Sequence, residues 1–210
     1  MKVLIADDHE VVRRGLQQIM ADAFEDITVG EAETAEAAIE LIRAETWDVV
    51  ILDITMPGRS GLDALKEIKK DRPNLPVLVL SIHPEDQFAT RVLKAGASGY
   101  MTKETATDEL VNAINKVRAG GKYVSERLAE KLALDLGREA DGVAPHQRLS
   151  DREYEVLLLI AAGLTISEIA DKLSLSVKTI STYRARILEK TNLKSNAGLI
   201  RYAIDQGLVE

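Results

Sequence analysis

The stretch VVILDITMPGRSG, residues 49–61, places a carboxylate directly after a continuous apolar run. The run Val49–Leu52 is rich in β-branched residues, and Asp53 follows it at once. This pattern is typical of a strand that is buried on both faces of a parallel sheet. Because functional groups collect at the carboxyl ends of parallel strands, we expect Asp53 at the edge of the sheet that carries the chemistry.

The same alternation of a short apolar run and an amphipathic stretch recurs through residues 1–120. The other runs are Val3–Ala6, Ile27–Gly30, Val77–Leu80 and Gly99–Met101. The helical faces consist of Ala38, Ile39 and Ile42, of Leu62, Leu65 and Ile68, and of Leu110, Ala113, Ile114 and Val117. Five strands that alternate with helices predict an α/β domain with a doubly wound, five-stranded parallel sheet.

A different organisation begins after this domain. The segment Glu126–Leu136 is compatible with one helix, and GREADGVAPHQ, residues 137–147, has the composition of a flexible linker. Every apolar spacing beyond Leu149 is helical. The predicted organisation is therefore a first domain over residues 1–120, a linker over 121–147 that is in part helical, and a small all-α domain over 148–210.

Composition excludes several classes of protein. The 210 residues include 46% apolar residues and no cysteine, which favours a packed core and excludes disulfides, thiol nucleophiles and cysteine metal sites. The net charge is −7, but residues 1–120 hold 14 Lys/Arg and 21 Asp/Glu, whereas residues 148–210 hold 9 and 8. The second domain can therefore be considered as a binder of nucleic acid in spite of the acidic total. No apolar run approaches ~18 residues and no secretory signal is evident, so we expect a cytoplasmic protein with no membrane span.

Charged and polar side chains follow four of the predicted strands. Asp7 and Asp8 follow the first strand, Asp53 the third, Ser81 the fourth and Lys103 the fifth. Three converging carboxylates repel one another unless a cation is present. Mg²⁺ prefers oxygen ligands and keeps waters that a phosphate can replace, so this set predicts a magnesium and phosphoryl site. The amine of Lys103 could pair with a phosphoryl oxygen or with Asp53.

These residues lie in motifs that resemble the receiver domain of two-component response regulators. The motifs are VLIADD, VILDITMPGRSG, VLVLS and GYMTK, and the resemblance covers residues 1–120. It implies a flavodoxin-like fold that accepts a phosphoryl group from a sensor histidine kinase. It also implies a switch in which Ser81 turns inward to bond the phosphoryl group and Tyr100 follows into the vacated space.

The resemblance assigns a role to each residue of the acidic set. Asp53 would be phosphorylated. Asp8 and Asp53 would ligate Mg²⁺ together with the backbone carbonyl of Thr55, and Asp7 would act mainly through a bound water. Lys103 would hold the phosphoryl group. Such chemistry depends on positioning and charge neutralisation.

Three helix-start signals follow one another in residues 148–210. Ser150 to Glu153 and Thr165 to Glu168 are capping boxes, and Ser176 would cap a third helix. The predicted inward residues are Ile166, Ile169, Ala170 and Leu173 on the second helix, and Val177, Ile180, Ile187 and Thr191 on the third. The predicted outward residues are Lys178, Thr182, Ala185 and Glu189, flanked by Ser181 and Arg186. A short helix, a tight turn and a longer helix with a polar outer face predict a helix-turn-helix.

Residues 149–195 closely resemble the LuxR-type domain, which makes the whole chain similar to the NarL/FixJ family of response regulators. The resemblance implies that Val177–Thr191 is a recognition helix in the major groove of double-stranded DNA. It places Lys178, Ser181, Thr182 and Ala185 near base edges and Thr179, Tyr183 and Arg186 near phosphates. Because this domain has nearly balanced charge, we expect one copy to bind weakly and a phosphorylated homodimer to supply paired contacts.

The leading prediction is a transcription regulator, not an enzyme, whose dimerisation and promoter binding respond to phosphorylation of Asp53. One alternative is a phosphorelay or protein-binding module whose helical domain contacts protein. Another is a hydrolase built on Asp53, although a haloacid-dehalogenase-type phosphatase needs a second Asp where Thr55 stands. The three histidines are scattered, and His9 is interpreted as a helix-start residue and not as a metal ligand.

Overall fold

The structure is a computed structural model of the chain, and it describes residues 1–136 and 144–209. The backbone divides into two compact units, Met1–Ala133 and Leu134–Glu210. Residues 137–143, which make up most of the segment GREADGVAPHQ, lie outside the described residues. The assignment of this segment as a linker therefore stays a prediction.

The first unit is built on the parallel five-stranded sheet that the sequence predicts. The strands are β1 (Lys2–Ala6), β2 (Thr28–Ala32), β3 (Val49–Asp53), β4 (Val77–Ser81) and β5 (Gly99–Thr102). Their order in the sheet is β2-β1-β3-β4-β5, and every neighbouring pair is parallel. The order reverses between β1 and β3, which is where open α/β sheets form their binding crevice.

Helices cover both faces of the sheet. They are α1 (Glu10–Ala23), α2 (Ala35–Ala44), α3 (Gly61–Asp71), α4 (Glu85–Lys94) and α5 (Ala106–Arg118). Buried residues of α1 and α5 share one core with alternate residues of β1, β3 and β4. The intervening strand residues point to the other face, where α2 and α3 pack against each other. The prediction of a doubly wound α/β domain is therefore confirmed.

The chain continues along the sheet edge beyond α5. Tyr123 pairs with β5: its N–H donates to the Ser98 carbonyl at 2.9 Å, and its carbonyl accepts from Tyr100 N–H at 3.1 Å. A side chain at Gly99 would lie 2.6 Å from the Tyr123 carbonyl, so this close approach requires glycine. Ser125 then binds the carboxylate of Glu85 through both its N–H and its hydroxyl. The start of the segment predicted as a linker is thus attached to β5 and α4.

A sixth helix, α6 (Glu126–Leu136), starts directly after this attachment. The hydroxyl of Ser125 accepts the Leu128 N–H at 3.1 Å, and the Ser125 carbonyl accepts the Ala129 N–H at 3.0 Å. These two bonds begin the first turn of the helix. The predicted helix over Glu126–Leu136 is confirmed with the same bounds.

All regular secondary structure in the described part of the second unit is helical. After a 3₁₀ turn at Pro145–Arg148, it contains α7 (Asp151–Ala161), α8 (Ile166–Lys172), α9 (Val177–Thr191) and α10 (Asn196–Asp205). Both capping boxes form, and Ser176 caps α9 by accepting the Thr179 N–H at 3.0 Å. α7 packs against α9 and α10, and α8 packs against α9.

One inward assignment is wrong. Val177 is 51% exposed, whereas Ile180, Ile187 and Thr191 are buried as predicted. At about 100° per residue, Val177 lies about 60° from the line through those three residues, and it occupies the first helical position, where little of the core reaches it. On α8, Ile169 is buried, but Ile166 is only partly buried.

Over residues 1–136 and 144–209, no helix combines the length and the apolar character that crossing a bilayer requires.

Candidate functional site

The sheet brings the predicted acidic set together at its carboxyl edge. Asp7 directly follows β1, Asp53 is the last residue of β3, and Ser81 is the last residue of β4. Lys103 directly follows β5, and its N–H donates to the Ser81 carbonyl at 2.8 Å. Residues that are up to 96 positions apart in the sequence therefore share one edge because β1, β3, β4 and β5 are consecutive neighbours.

One lysine joins the two buried carboxylates. The Nζ of Lys103 lies 2.7 Å from Asp53 Oδ2 and 2.7 Å from Asp7 Oδ2. Both aspartates are 1% exposed. The second oxygen of Asp53, Oδ1, accepts the Thr55 N–H at 2.8 Å. Each oxygen of Asp53 thus has a fixed partner, which sets the direction in which the carboxylate faces.

Burial and charge have opposing effects on Asp53. Burial raises the pKa of Asp53, and the neighbouring charge of Asp7 raises it further. Lys103 and the Thr55 N–H oppose this rise, but the pKa of Asp53 stays above its ordinary value. For Lys103, burial lowers the pKa, and the attraction of Asp53 and Asp7 outweighs it, so the net pKa is raised. The site therefore favours a second cation, because one ammonium does not compensate the buried carboxylates.

The donor set fits a hard divalent cation. Potential ligand atoms of Asp7, Asp8, His9 and Asp53 all lie within 4.8 Å of one another. The buried Oδ1 of Asp8 accepts no hydrogen bond of acceptable geometry from the described residues. Its neighbour is the ring nitrogen Nδ1 of His9, which lies 2.9 Å away. Carboxylate oxygens are the ligands that Mg²⁺ prefers. His9 precedes α1 as its N-cap residue, as expected, but its ring also lies against the acidic cluster.

The two predicted switch residues meet at the backbone of His83. Ser81 Oγ accepts the His83 N–H at 3.1 Å, and the hydroxyl of Tyr100 donates to the His83 carbonyl at 2.7 Å. Both side chains are buried. The loop after β4 is thus bonded on one side to the residue that ends β4 and on the other side to a residue of β5.

The predicted DNA-binding residues form a continuous strip on α9. Lys178, Thr179, Thr182, Tyr183 and Arg186 line a shallow groove on this helix. Ser181 and Ala185 are exposed beside it, and Thr179 and Tyr183 are half-buried. The hydroxyl of Thr182 donates to the Lys178 carbonyl at 3.0 Å within the helix. The strip offers two cations, hydroxyls and an aromatic ring, which suits contacts to phosphates and base edges.

Arg13 touches the acidic site but was not predicted from the sequence. This residue is buried on α1 and donates to the main-chain carbonyl of Asp7. A signal was available, because Arg13 lies three residues before Leu16 and seven before Met20, both of which are buried on the same face of α1. An arginine at such a position needs buried polar partners.

Comparisons with known proteins agree with this arrangement. The family described as "Response regulator receiver domain" matches residues 3–115, and the family described as "Bacterial regulatory proteins, luxR family" matches residues 147–203. The response regulator GacA of Pseudomonas aeruginosa is 40% identical over 210 residues, which is 100% of this chain and 98% of that protein. The response regulator UvrY of Escherichia coli K12 is 36% identical over 99% of this chain and 95% of that protein.

Solved structures of one response regulator, RcsB, resemble the whole chain. A structure of the Salmonella typhimurium protein has a TM-score of 0.69 at 31% identity and covers 100% of this chain and 98% of that one. Another, from Salmonella enterica serovar Typhimurium, is bound to promoter rprA in the presence of the phosphomimetic BeF₃⁻. It has a TM-score of 0.63 at 31% identity and covers 96% and 97% of the two chains.

Proposed function

The chain belongs to the response regulators that combine a receiver domain with a LuxR-type domain, and we propose that phosphorylation of Asp53 controls its binding to DNA. The observation that carries the proposal is the buried Asp53 carboxylate, held 2.7 Å from Lys103 and beside Asp7 and Asp8. A carboxylate in this setting can accept a phosphoryl group, whose charge the surrounding cations then compensate.

Phosphoryl transfer requires few groups from this chain. A carboxylate oxygen of Asp53 forms a bond to phosphorus while the phosphorus–nitrogen bond of a kinase phosphohistidine breaks, and the histidine leaves with that electron pair. Lys103, now paired with Asp7 and Asp53, can pair with a phosphoryl oxygen instead. Asp8, Asp53 and the Thr55 carbonyl would hold Mg²⁺, with Asp7 acting through a water. When bound, Mg²⁺ neutralises charge on the transferring group.

We assign DNA binding to the second unit. We assign α9 to the major groove, with Lys178, Ser181, Thr182 and Ala185 toward the base edges. Thr179, Tyr183 and Arg186 would contact the phosphates. The RcsB–promoter structure supports DNA as the ligand, and the exposure of the strip supports α9 as the helix that contacts it. Because residues 148–210 hold 9 basic and 8 acidic residues, a phosphorylated homodimer would provide the affinity that one copy lacks.

Each segment of the predicted organisation has its own role in this function. Residues 1–120 would receive the signal, residues 148–210 would bind DNA and residues 121–147 would connect them. The family matches at 3–115 and 147–203 and the compact units Met1–Ala133 and Leu134–Glu210 support these limits. The partners are a sensor histidine kinase and double-stranded DNA, and we infer from them that the protein acts in the cytoplasm. It acts by changing state, without turnover of a substrate.

The test is to treat the wild-type chain and Asp53→Asn with a small acyl-phosphate donor and Mg²⁺. Incorporation of the phosphoryl group is measured first, and the DNA sites that each protein binds are then mapped across the genome. The wild type should incorporate one phosphoryl group and gain DNA sites, and Asp53→Asn should do neither. An Asp53→Asn chain that incorporates the group at the wild-type rate would refute the assignment. Repeated turnover of the donor would indicate a hydrolase, and absence of DNA binding would indicate a protein-binding module.

A further inference from the structure

The residue in question is Arg13, whose guanidinium is buried beside the acidic site. Arg13 is 4% exposed, in contrast to its neighbour Arg14, whose side chain is 75% exposed and pairs only with Glu10 among the ion pairs of the described residues. A buried arginine is retained at a cost in desolvation unless each of its donors is satisfied. Its partners therefore indicate what it does.

Arg13 uses its donors in three directions. Nη1 donates to the main-chain carbonyl of Asp7 at 2.8 Å. Nε donates to Glu31 Oε2 at 2.8 Å, and Nη2 donates to Glu33 Oε1 at 2.7 Å. Glu31 is held in turn by the side-chain amide of Gln17 at 2.6 Å. The guanidinium thus connects the residue after β1 to the end of β2.

The backbone of Asp7 is fixed on both sides by the same short segment. Its N–H donates to the carbonyl of Ala32 at 3.1 Å, and Glu31 and Glu33 flank Ala32 in the sequence. Its carbonyl is held by Arg13. The main chain that carries the Asp7 carboxylate is therefore attached to β2 directly through the N–H and indirectly through the guanidinium.

We infer that Arg13 is a positioning residue for the metal and phosphoryl site, which acts by holding the Asp7 peptide so that its carboxylate faces Lys103 and the cation. This inference rests on the proposed function of that site. Glu31 and Glu33 more than compensate the positive charge of Arg13, so its contribution to the acidic site is geometric. Only a planar guanidinium with several fixed donors can bond three acceptors in these directions, because the ammonium of a lysine is a compact point charge. Outer partners of this kind orient the groups that contact a metal.

The experiment compares Arg13→Lys with the matched control Arg14→Lys in the full chain. Binding of Mg²⁺ alone to the unphosphorylated protein is measured by isothermal titration calorimetry, with Asp7→Asn as a reference for a damaged site. The rate of phosphorylation by a small acyl-phosphate donor is then measured at saturating Mg²⁺. We expect Arg13→Lys to weaken Mg²⁺ binding roughly tenfold and to slow phosphorylation, and Arg14→Lys to match the wild type.

Two outcomes would overturn the inference that Arg13 positions Asp7. Wild-type Mg²⁺ affinity in a folded Arg13→Lys chain would overturn the inference, even if the melting temperature fell, because the role would then be structural only. Absence of Mg²⁺ binding by the wild type would overturn the proposed site itself, and the inference with it.

A second variant covers the case in which Arg13→Lys does not fold. Glu33 lies on the surface, where its side chain is 74% exposed, and Glu33→Gln weakens one anchor of the guanidinium because a neutral amide oxygen replaces the charged acceptor. We expect a smaller loss of Mg²⁺ affinity, about threefold, on the scale of outer-partner effects. An unchanged affinity in Glu33→Gln would overturn the inference in that case.

Discussion

The hydroxyl of Tyr100 donates a hydrogen bond to the main-chain carbonyl of His83, 2.7 Å away. The N–H of the same residue donates to Ser81 Oγ. Two residues further on, Glu85 holds Ser125, whose hydroxyl and carbonyl begin α6. The contacts therefore run from the end of β4, past the His83 peptide, to the start of the segment that follows the first domain.

Tyr100→Phe removes only the hydroxyl, and it tests this connection. Loss of one buried hydrogen bond should lower the free energy of unfolding by about 1 kcal/mol. We expect Asp53 to be phosphorylated at close to the wild-type rate and the gain in DNA affinity on phosphorylation to fall severalfold. Titration of DNA with and without the donor measures that gain. A variant with the full wild-type gain would contradict the assigned role of Tyr100.

Lys103→Met should alter the acidic site in a defined direction. Because Lys103 lowers the pKa of Asp53, its loss should raise that pKa further. The same change removes a cation 2.7 Å from two carboxylates, so Mg²⁺ should bind more tightly at a pH at which Asp53 is ionised. Phosphorylation should nevertheless be slower, since the phosphoryl group loses its ammonium partner.

Carboxyl-carbon NMR titration of the Mg²⁺-free chain reports the pKa of Asp53, and calorimetry reports the affinity for Mg²⁺. The exposed Lys70→Met is a matched control that should change neither quantity. A pKa of Asp53 that falls in Lys103→Met would show that the attraction between these two side chains is not the dominant effect of Lys103.

Gly99→Ala tests the close approach of Tyr123 at the edge of the sheet, and Gly15→Ala on α1 is its control. A Cβ at Gly99 would lie 2.6 Å from the Tyr123 carbonyl, 2.7 Å from Tyr123 Cβ and 2.9 Å from Leu78 Cδ1. We expect overpacking to cost about 1–3 kcal/mol and to displace the strand-like pairing of Tyr123. A Cβ at Gly15 meets nothing within 4 Å on α1, so this change should stabilise the helix by up to about 1 kcal/mol.

Chemical unfolding of the full chain gives the order of stability, and amide hydrogen exchange at Tyr123 reports its pairing. The expected order is Gly15→Ala at or above the wild type and Gly99→Ala below it. Equal stability and equal Tyr123 protection in both variants would show that the close approach is not maintained in solution.

Arg186→Met tests the strip on α9. Loss of one phosphate contact should weaken binding to all DNA sequences about equally and should reduce the slope of log affinity against log salt by about 1. Arg201→Met, on the exposed side of α10, is the control and should leave both quantities unchanged. A change that is confined to one base position in the DNA site would place Arg186 at a base edge.

The local pattern of the sequence was sufficient for the α/β fold, its five strands and most of the helix starts. Apolar runs such as Val49–Leu52 have one stable location, the buried sheet, and the capping boxes at Ser150 and Thr165 depend only on residues three positions apart. The carboxyl-edge rule also predicted that Asp7, Asp53 and Lys103 would meet, because parallel strands leave their ends on one side.

Tertiary structure decided what depends on contacts between distant segments. The guanidinium of Arg13 reaches Glu31, Glu33 and the Asp7 carbonyl only because β1 and β2 are neighbours, and the pairing of Tyr123 with β5 needs the open side of Gly99. The exposure of Val177 likewise reflects where the core ends and not the spacing of apolar residues. Periodicity predicts which face of an element is apolar, but only the packed chain determines which backbone groups a buried charge must bond.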